Sequence, residues 1–232
     1  MPALLASAAL VAVGHAALGV DHTLPFVAIA RARAWSLPRT LCVTALCGAG
    51  HVLASVALGL LAVGIGVAVT GVEGVEKARA AWAPWLLIVF GVVFGASGFM
   101  RATRDRPHVH SHVHGDGLAH DHVHGHEGAH LHPHEGRDFS TVAWSLFVLF
   151  LFGPCEPLIP LLMVPAMEQG WLDMALVVGV FGATTLATML AIVAAAHWGL
   201  RGFALPSLER WRDSLAGATV ALCGVLVLTL GI

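Results

Sequence analysis

Six stretches of this chain, roughly 3–30, 40–70, 81–100, 140–166, 171–198 and 211–231, are apolar over about the twenty residues a helix needs to cross a bilayer. No other property of the sequence narrows the fold as much. Hydrocarbon offers no water to the backbone, so only helices and closed barrels span it, and runs of this length are helices. Charged residues make up 11% of the chain, against about 25% in a soluble domain, so little soluble mass remains. The expectation is an all-α membrane protein with six transmembrane helices. Trp35, Trp82, Trp85, Trp144, Trp171, Trp198 and Trp211 fall near the ends of the runs, where interfacial anchors belong. Cys42, Cys47, Cys155 and Cys223 lie in apolar segments, which argues against a secreted disulfide framework. The first run lacks a basic leader and continues through His15 and Asp21, so it reads as a mature span rather than a signal peptide. Gly91 and Gly95 form a small-xxx-small face for close helix packing.

The arginines set the expected orientation. Arg31, Arg33 and Arg39 follow the first run, Arg101, Arg104, Arg106 and Arg137 the third, and Arg201, Arg210 and Arg212 the fifth. The other side has only Lys77 and Arg79. By the positive-inside rule both termini are outside an inner (cell) membrane and the 101–139 segment is cytoplasmic. That segment holds His108, His110, His112, His114, His120, His122, His124, His126, His130, His132 and His134, with Gly, Asp and Glu between them. It has too few apolar residues for a core and reads as disordered without metal. Its imidazoles are ligands for late first-row divalent metals. The chain thus divides into 1–100, the His-rich loop 101–139, and 140–232.

Ionisable residues inside a span are costly unless partnered, and default to a functional reading. The first run carries Gly14-His15-Ala16-Ala17-Leu18-Gly19-Val20-Asp21-His22-Thr23-Leu24-Pro25, with Gly19 and Pro25 flanking the acid. The fourth carries Gly153-Pro154-Cys155-Glu156-Pro157-Leu158-Ile159-Pro160. With Glu156 aligned on Asp21, Pro160 falls on Pro25, and Gly48-Ala49-Gly50-His51 falls against Gly182-Ala183-Thr184-Thr185 at almost the same spacing. Three runs per copy means the second copy is inverted in the membrane. Two inverted three-helix repeats with broken first helices place an ion site at the midplane between them. Asp21 and Glu156 would supply charge to a divalent cation, and His15, His22 and His51 nitrogen. Cys155 is either a thiolate ligand or a small core residue. His15 and His22 would stand about 10 Å apart on an unbroken helix, so either the helix breaks near Gly19 or they are successive stations. Mixed N,O ligation suits nickel, cobalt or zinc, with copper also open, rather than magnesium or calcium.

The His15…Asp21-His22 pattern resembles the signature of nickel/cobalt transporters, with one more residue between His and Asp than in its best-known version. The six-run layout with a His-rich central loop is similar to the nickel/cobalt efflux and urease-accessory membrane families. This resemblance implies a transporter rather than an enzyme, moving a divalent transition metal by rocking its halves around the site. The expected partners are the bilayer and the metal ion, with a cytoplasmic metallochaperone or a second copy as further candidates, and no nucleic acid. A second resemblance competes. Pro154-Cys155-Glu156-Pro157 looks like the Pro-Cys-x-x-Pro segment of the thiol-disulfide membrane proteins of cytochrome c biogenesis, which implies electron transfer through Cys155. The position aligned with Cys155 in the first half is Val20.

Overall fold

A computed structural model describes residues 1–64, 69–104, 108–113, 119–124, 135–153, 157–158, 160–161, 170–202 and 206–230. The helices are α1 (Pro2–Leu18), α2 (Val20–Ala32), α3 (Leu37–Gly64), α4 (Val69–Arg104), α5 (Glu135–Leu151), α6 (Trp171–Gly199) and α7 (Arg212–Leu230). Among the described residues, four stretches are long and apolar enough to cross a membrane: Leu37–Leu58, Lys77–Arg104, Trp171–Gly199 and Leu208–Leu230. The α1–α2 pair, bent by 48° at Gly19, makes a fifth if taken as one broken span. Four to five of the six expected spans are therefore seen among the described residues. Of the stretch expected at 140–166, Ser140–Leu151 is a shorter apolar helix. It stops before Gly153, the residue ahead of Pro154, where a following proline disfavours helical backbone. Residues 154–156, 159 and 162–169 lie outside the described residues.

The surface is that expected of an integral membrane protein: large apolar side chains lie outside as well as in the core, and a few polar ones are buried. Leu10, Leu18, Leu53, Trp82, Val93, Trp144 and Leu172 are exposed, while Thr40, Thr44, His22, His51, Ser55 and Thr185 are buried. Trp171 and Trp198 sit exposed at the two ends of α6. At 1.5 Å per residue they are about 40 Å apart, the thickness of a bilayer with its headgroups. Trp35 departs from the anchor pattern. It is 5% exposed, in the core with Phe26, Ile29, Leu146, Phe150, Met189 and Val220. The α2–α3 turn folds it inward: Ala34 takes φ 50° and the Trp35 N–H bonds the Ala30 carbonyl at 2.8 Å.

Lys77 and Arg79, expected in a connecting loop, lie within α4, which begins at Val69. Asp213 of α7 takes Arg101 of α4 at 2.7 Å and Arg33 of α2 at 3.7 Å, and Arg31 donates to the Leu200 carbonyl after α6. The C-terminal ends of α2, α4 and α6 and the start of α7 therefore share one end of the molecule.

Glycines set two of the helix crossings, one of them backbone to backbone. A Cβ on Gly91 would lie 2.4 Å from the Ala221 nitrogen, and one on Gly217 would lie 2.3 Å from the Gly95 nitrogen, so α4 and α7 touch backbone to backbone. The small-xxx-small face is a packing face. At the α3–α6 crossing, Gly48 meets Leu186 and Gly182 meets Val52.

In the His-rich segment, β1 (His108–Val113) and β2 (Ala119–His124) pair antiparallel, with His108 opposite His124, His110 opposite His122 and His112 opposite His120. Within the segment expected to be disordered without metal, residues 108–113 and 119–124 form this hairpin. Its signal was the His-x-His alternation, which is strand period. His114, His126, His130, His132 and His134 lie outside the described residues.

Candidate metal centre

The first helix is broken by chemistry visible in its sequence. Gly19 leaves the helix with ψ 97°, and its N–H bonds the His15 carbonyl while its own carbonyl takes the His22 N–H, both at 3.0 Å. Pro25, inside α2, has no N–H to return to the Asp21 carbonyl four residues back. Asp21 occupies the first turn of α2, where a helix N-terminus favours an anion. Any side chain at Gly19 would collide with His22, since its Cβ would lie 2.4 Å from His22 Nδ1.

The break decides between the two expected arrangements of His15 and His22. Their ring centroids are 4.4 Å apart, so they belong to one centre rather than to two stations on a path. His51 arrives from α3, with centroids 5.2 Å from His22 and 6.0 Å from His15. Among the described residues, His15, His22 and His51 form a group whose ligand atoms all lie within 4.8 Å of one another. His22 is 5% and His51 2% exposed.

The hydrogen bonds fix which ring nitrogens are already engaged. His22 Nδ1 is 2.8 Å from Asp21 Oδ1, and His51 Nδ1 is 3.3 Å from the Phe150 carbonyl oxygen. A carboxylate and a carbonyl only accept, so in each ring Nδ1–H donates and Nε2 carries the lone pair. Both Nε2 atoms are buried without a hydrogen-bond partner among the described residues. Two buried, unpartnered imidazole lone pairs are a cost unless something electrophilic meets them. A ring nitrogen free for an ion, with its partner tied to a carboxylate or a carbonyl, is the arrangement of metal-ligating histidines. Beside these rings lies a cavity of about 20 Å³, lined by Asp21, His22, His51, Leu87, Phe150 and Gly153 among others. That is room for one water-sized species.

The structure thus brings His15, His22, His51 and Asp21 together. Asp21 lines the cavity but stands outside the three-histidine group, as the hydrogen-bond acceptor of His22. Cys155 and Glu156, the ligands expected from the second half, lie outside the described residues. Thr185, which aligns with His51, is fully buried on α6 with its hydroxyl unpartnered. Two contributors have no sequence signature: the Phe150 carbonyl, because any residue offers one, and Gly153, where a Cβ would lie 3.1 Å from His51 Nδ1. No protein-family model, no curated protein sequence and no solved structure matches this chain.

Proposed function

We propose that this chain is a membrane transporter of a divalent transition metal ion, nickel or cobalt before zinc or copper, and that His15, His22 and His51 hold the ion in transit. The observation that carries this reading is the pair of buried Nε2 lone pairs on His22 and His51, rings whose Nδ1 atoms are held by Asp21 and Phe150 and which line an ion-sized cavity. Imidazole nitrogens suit nickel, cobalt, zinc and copper, whereas magnesium and calcium take oxygen. The ion is cargo, and the chain is assigned no catalytic chemistry. Binding requires neutral imidazoles, so protons compete with the ion for the site. A helix broken within the membrane is tolerated where it lines a cavity, and transport sites are built that way.

The reading includes two inverted copies, the second beginning after the loop. Reciprocal contacts support it. Gly48 meets the residue four beyond Gly182, and Gly182 meets the residue four beyond Gly48. Gly91 meets Gly217 and Ala221, seven and three before Gly224, while Gly224 meets Pro84 and Ile88, seven and three before Gly91. Paired contacts of this kind are what a two-fold relation produces. The offset from Gly48 to Gly182 matches that from Gly91 to Gly224 to within one residue. Glu156 and Cys155 would then complete the site from the second copy. In this reading both termini face outward, and the His-rich loop collects metal on the cytoplasmic side, alone or from a metallochaperone.

The test is ion flux into proteoliposomes for nickel, cobalt, zinc and copper, with wild type, His22→Ala and Asp21→Asn. Flux that His22→Ala abolishes is expected. No flux of any of the four ions by correctly inserted protein overturns the reading. The rival reading, thiol-disulfide transfer through Cys155, requires Cys155→Ser to be the severe change and His15→Ala a mild one.

A further inference from the structure

Arg79 projects from α4 to three oxygens on two other elements. Its Nη1 donates to Ser55 Oγ at 3.1 Å, and its Nη2 to the carbonyl of Leu151 at 2.9 Å and of Gly153 at 2.6 Å. The last carbonyls of a helix have no partner within it, and here a guanidinium supplies one. A cation in a membrane-length helix is retained only where it is well paired, and a planar fork of donors fits several fixed acceptors better than an ammonium.

What matters is where those oxygens lie. Ser55 is one turn beyond His51 on α3. Leu151 follows Phe150, whose carbonyl accepts His51 Nδ1–H, and Gly153 lines the cavity beside the ring. The Phe150 carbonyl also accepts the Gly153 N–H at 3.1 Å. Arg79 therefore ties the turn that carries His51 to the helix end that carries its acceptor, gripping each side within a turn of the bond. The His51–Phe150 hydrogen bond is long, at 3.3 Å, and crosses between two helices.

We propose that Arg79 is a positioning residue of the metal centre: by clamping the end of α5 to α3 it holds the Phe150 carbonyl on His51 Nδ1 and so keeps Nε2 as the ion-facing nitrogen. The metal role of His51 rests on the function proposed above. The tautomer does not, so the two can fail separately.

The experiment is nitrogen-15 NMR of histidine-labelled, metal-free protein in bilayers, with the His51 signals identified by subtraction against His51→Gln. Wild type is expected to show the Nδ1–H form. Arg79→Gln is expected to give a mixture of the two neutral forms, and Arg79→Lys, which keeps charge but loses the fork, an intermediate result. Ser55→Ala removes one arm only and serves if Arg79→Gln fails to fold. An unchanged His51 tautomer in Arg79→Gln, or in Ser55→Ala where that variant alone folds, overturns the proposal. The same samples are then titrated with cobalt. A ten- to hundredfold weaker Kd in Arg79→Gln, absent when His51 is already glutamine, is the expected result. Equal weakening in both backgrounds overturns action through His51. Failure of wild type to bind cobalt, with the tautomer still dependent on Arg79, sinks the metal reading and leaves the positioning role standing.

Discussion

Asp21 supports the centre through orientation and through charge, and Asp21→Asn separates the two. The asparagine oxygen still accepts His22 Nδ1–H, which now lies 2.8 Å from the carboxylate, so Nε2 keeps its lone pair. Only the negative charge is lost. An ion on Nε2 would stand about 7 Å from that carboxylate, across the ring. A divalent ion and a unit charge at about 7 Å interact by about 5 kcal/mol at an effective dielectric of 20, and by about 1 kcal/mol in bulk water. The Asp21 side chain is 24% exposed, which favours the lower half of that range. The expected loss is therefore about 1–3 kcal/mol, or roughly ten- to hundredfold in Kd. Cobalt titration of purified protein by calorimetry measures it. The visible absorption of bound cobalt, which its ligands set, should be unchanged, because Asp21 is behind His22 rather than on the ion. An altered cobalt spectrum would show Asp21 to be a ligand. An unchanged Kd would show that its charge does not reach the ion. Either result refutes the reasoning.

Four further outcomes are expected. Gly19→Ala places a methyl 2.4 Å from His22 Nδ1, so cobalt affinity should fall at least as far as in Asp21→Asn, read by the same titration. Gly91→Ala drives a methyl into the α7 backbone and should destabilise the fold by about 1–3 kcal/mol, as overpacking does, seen as a lower thermal midpoint in detergent. Cobalt binding should weaken in acid, because a protonated imidazole offers no lone pair, and the Kd should rise once the pH is low enough to protonate the buried rings. Deleting residues 108–134 should leave cobalt bound at the intramembrane centre with the same spectrum and reduce flux without abolishing it, since the three histidines come from α1, α2 and α3.

The membrane class was legible because hydrocarbon imposes one rule on every residue of a span. The candidate centre was legible for the same reason: His15, Asp21, His22 and His51 are polar where polarity is costly, and Gly19 and Pro25 announce the break that brings the first three together. The sequence could not rank Asp21 against the histidines, because a carboxylate that binds an ion and one that orients an imidazole are spelled alike. It misplaced Trp35 and Arg79. An indole near a run end is an anchor unless a turn folds it inward, as at Ala34, and an arginine before a run is a loop residue unless its helix starts early, as α4 does at Val69. Arg79 then found its acceptors on backbone carbonyls, which no composition marks.

The glycine seam between α4 and α7 limits how the molecule can move. It joins the last helix before the His-rich loop to the last helix of the chain, so it welds one half to the other. Backbone against backbone at Gly91, Gly95 and Gly217 leaves few side chains to re-pack as a hinge would need. Rocking one half as a rigid block against the other would tear this contact open along its length. The degrees of freedom left are those of the other helices: a static pillar of α4 and α7, with α1–α2, α3, α5 and α6 shifting against it. Exposure of the centre to one side and then the other would come from that smaller moving part. Crosslinking the pillar through introduced cysteines should leave ion flux intact.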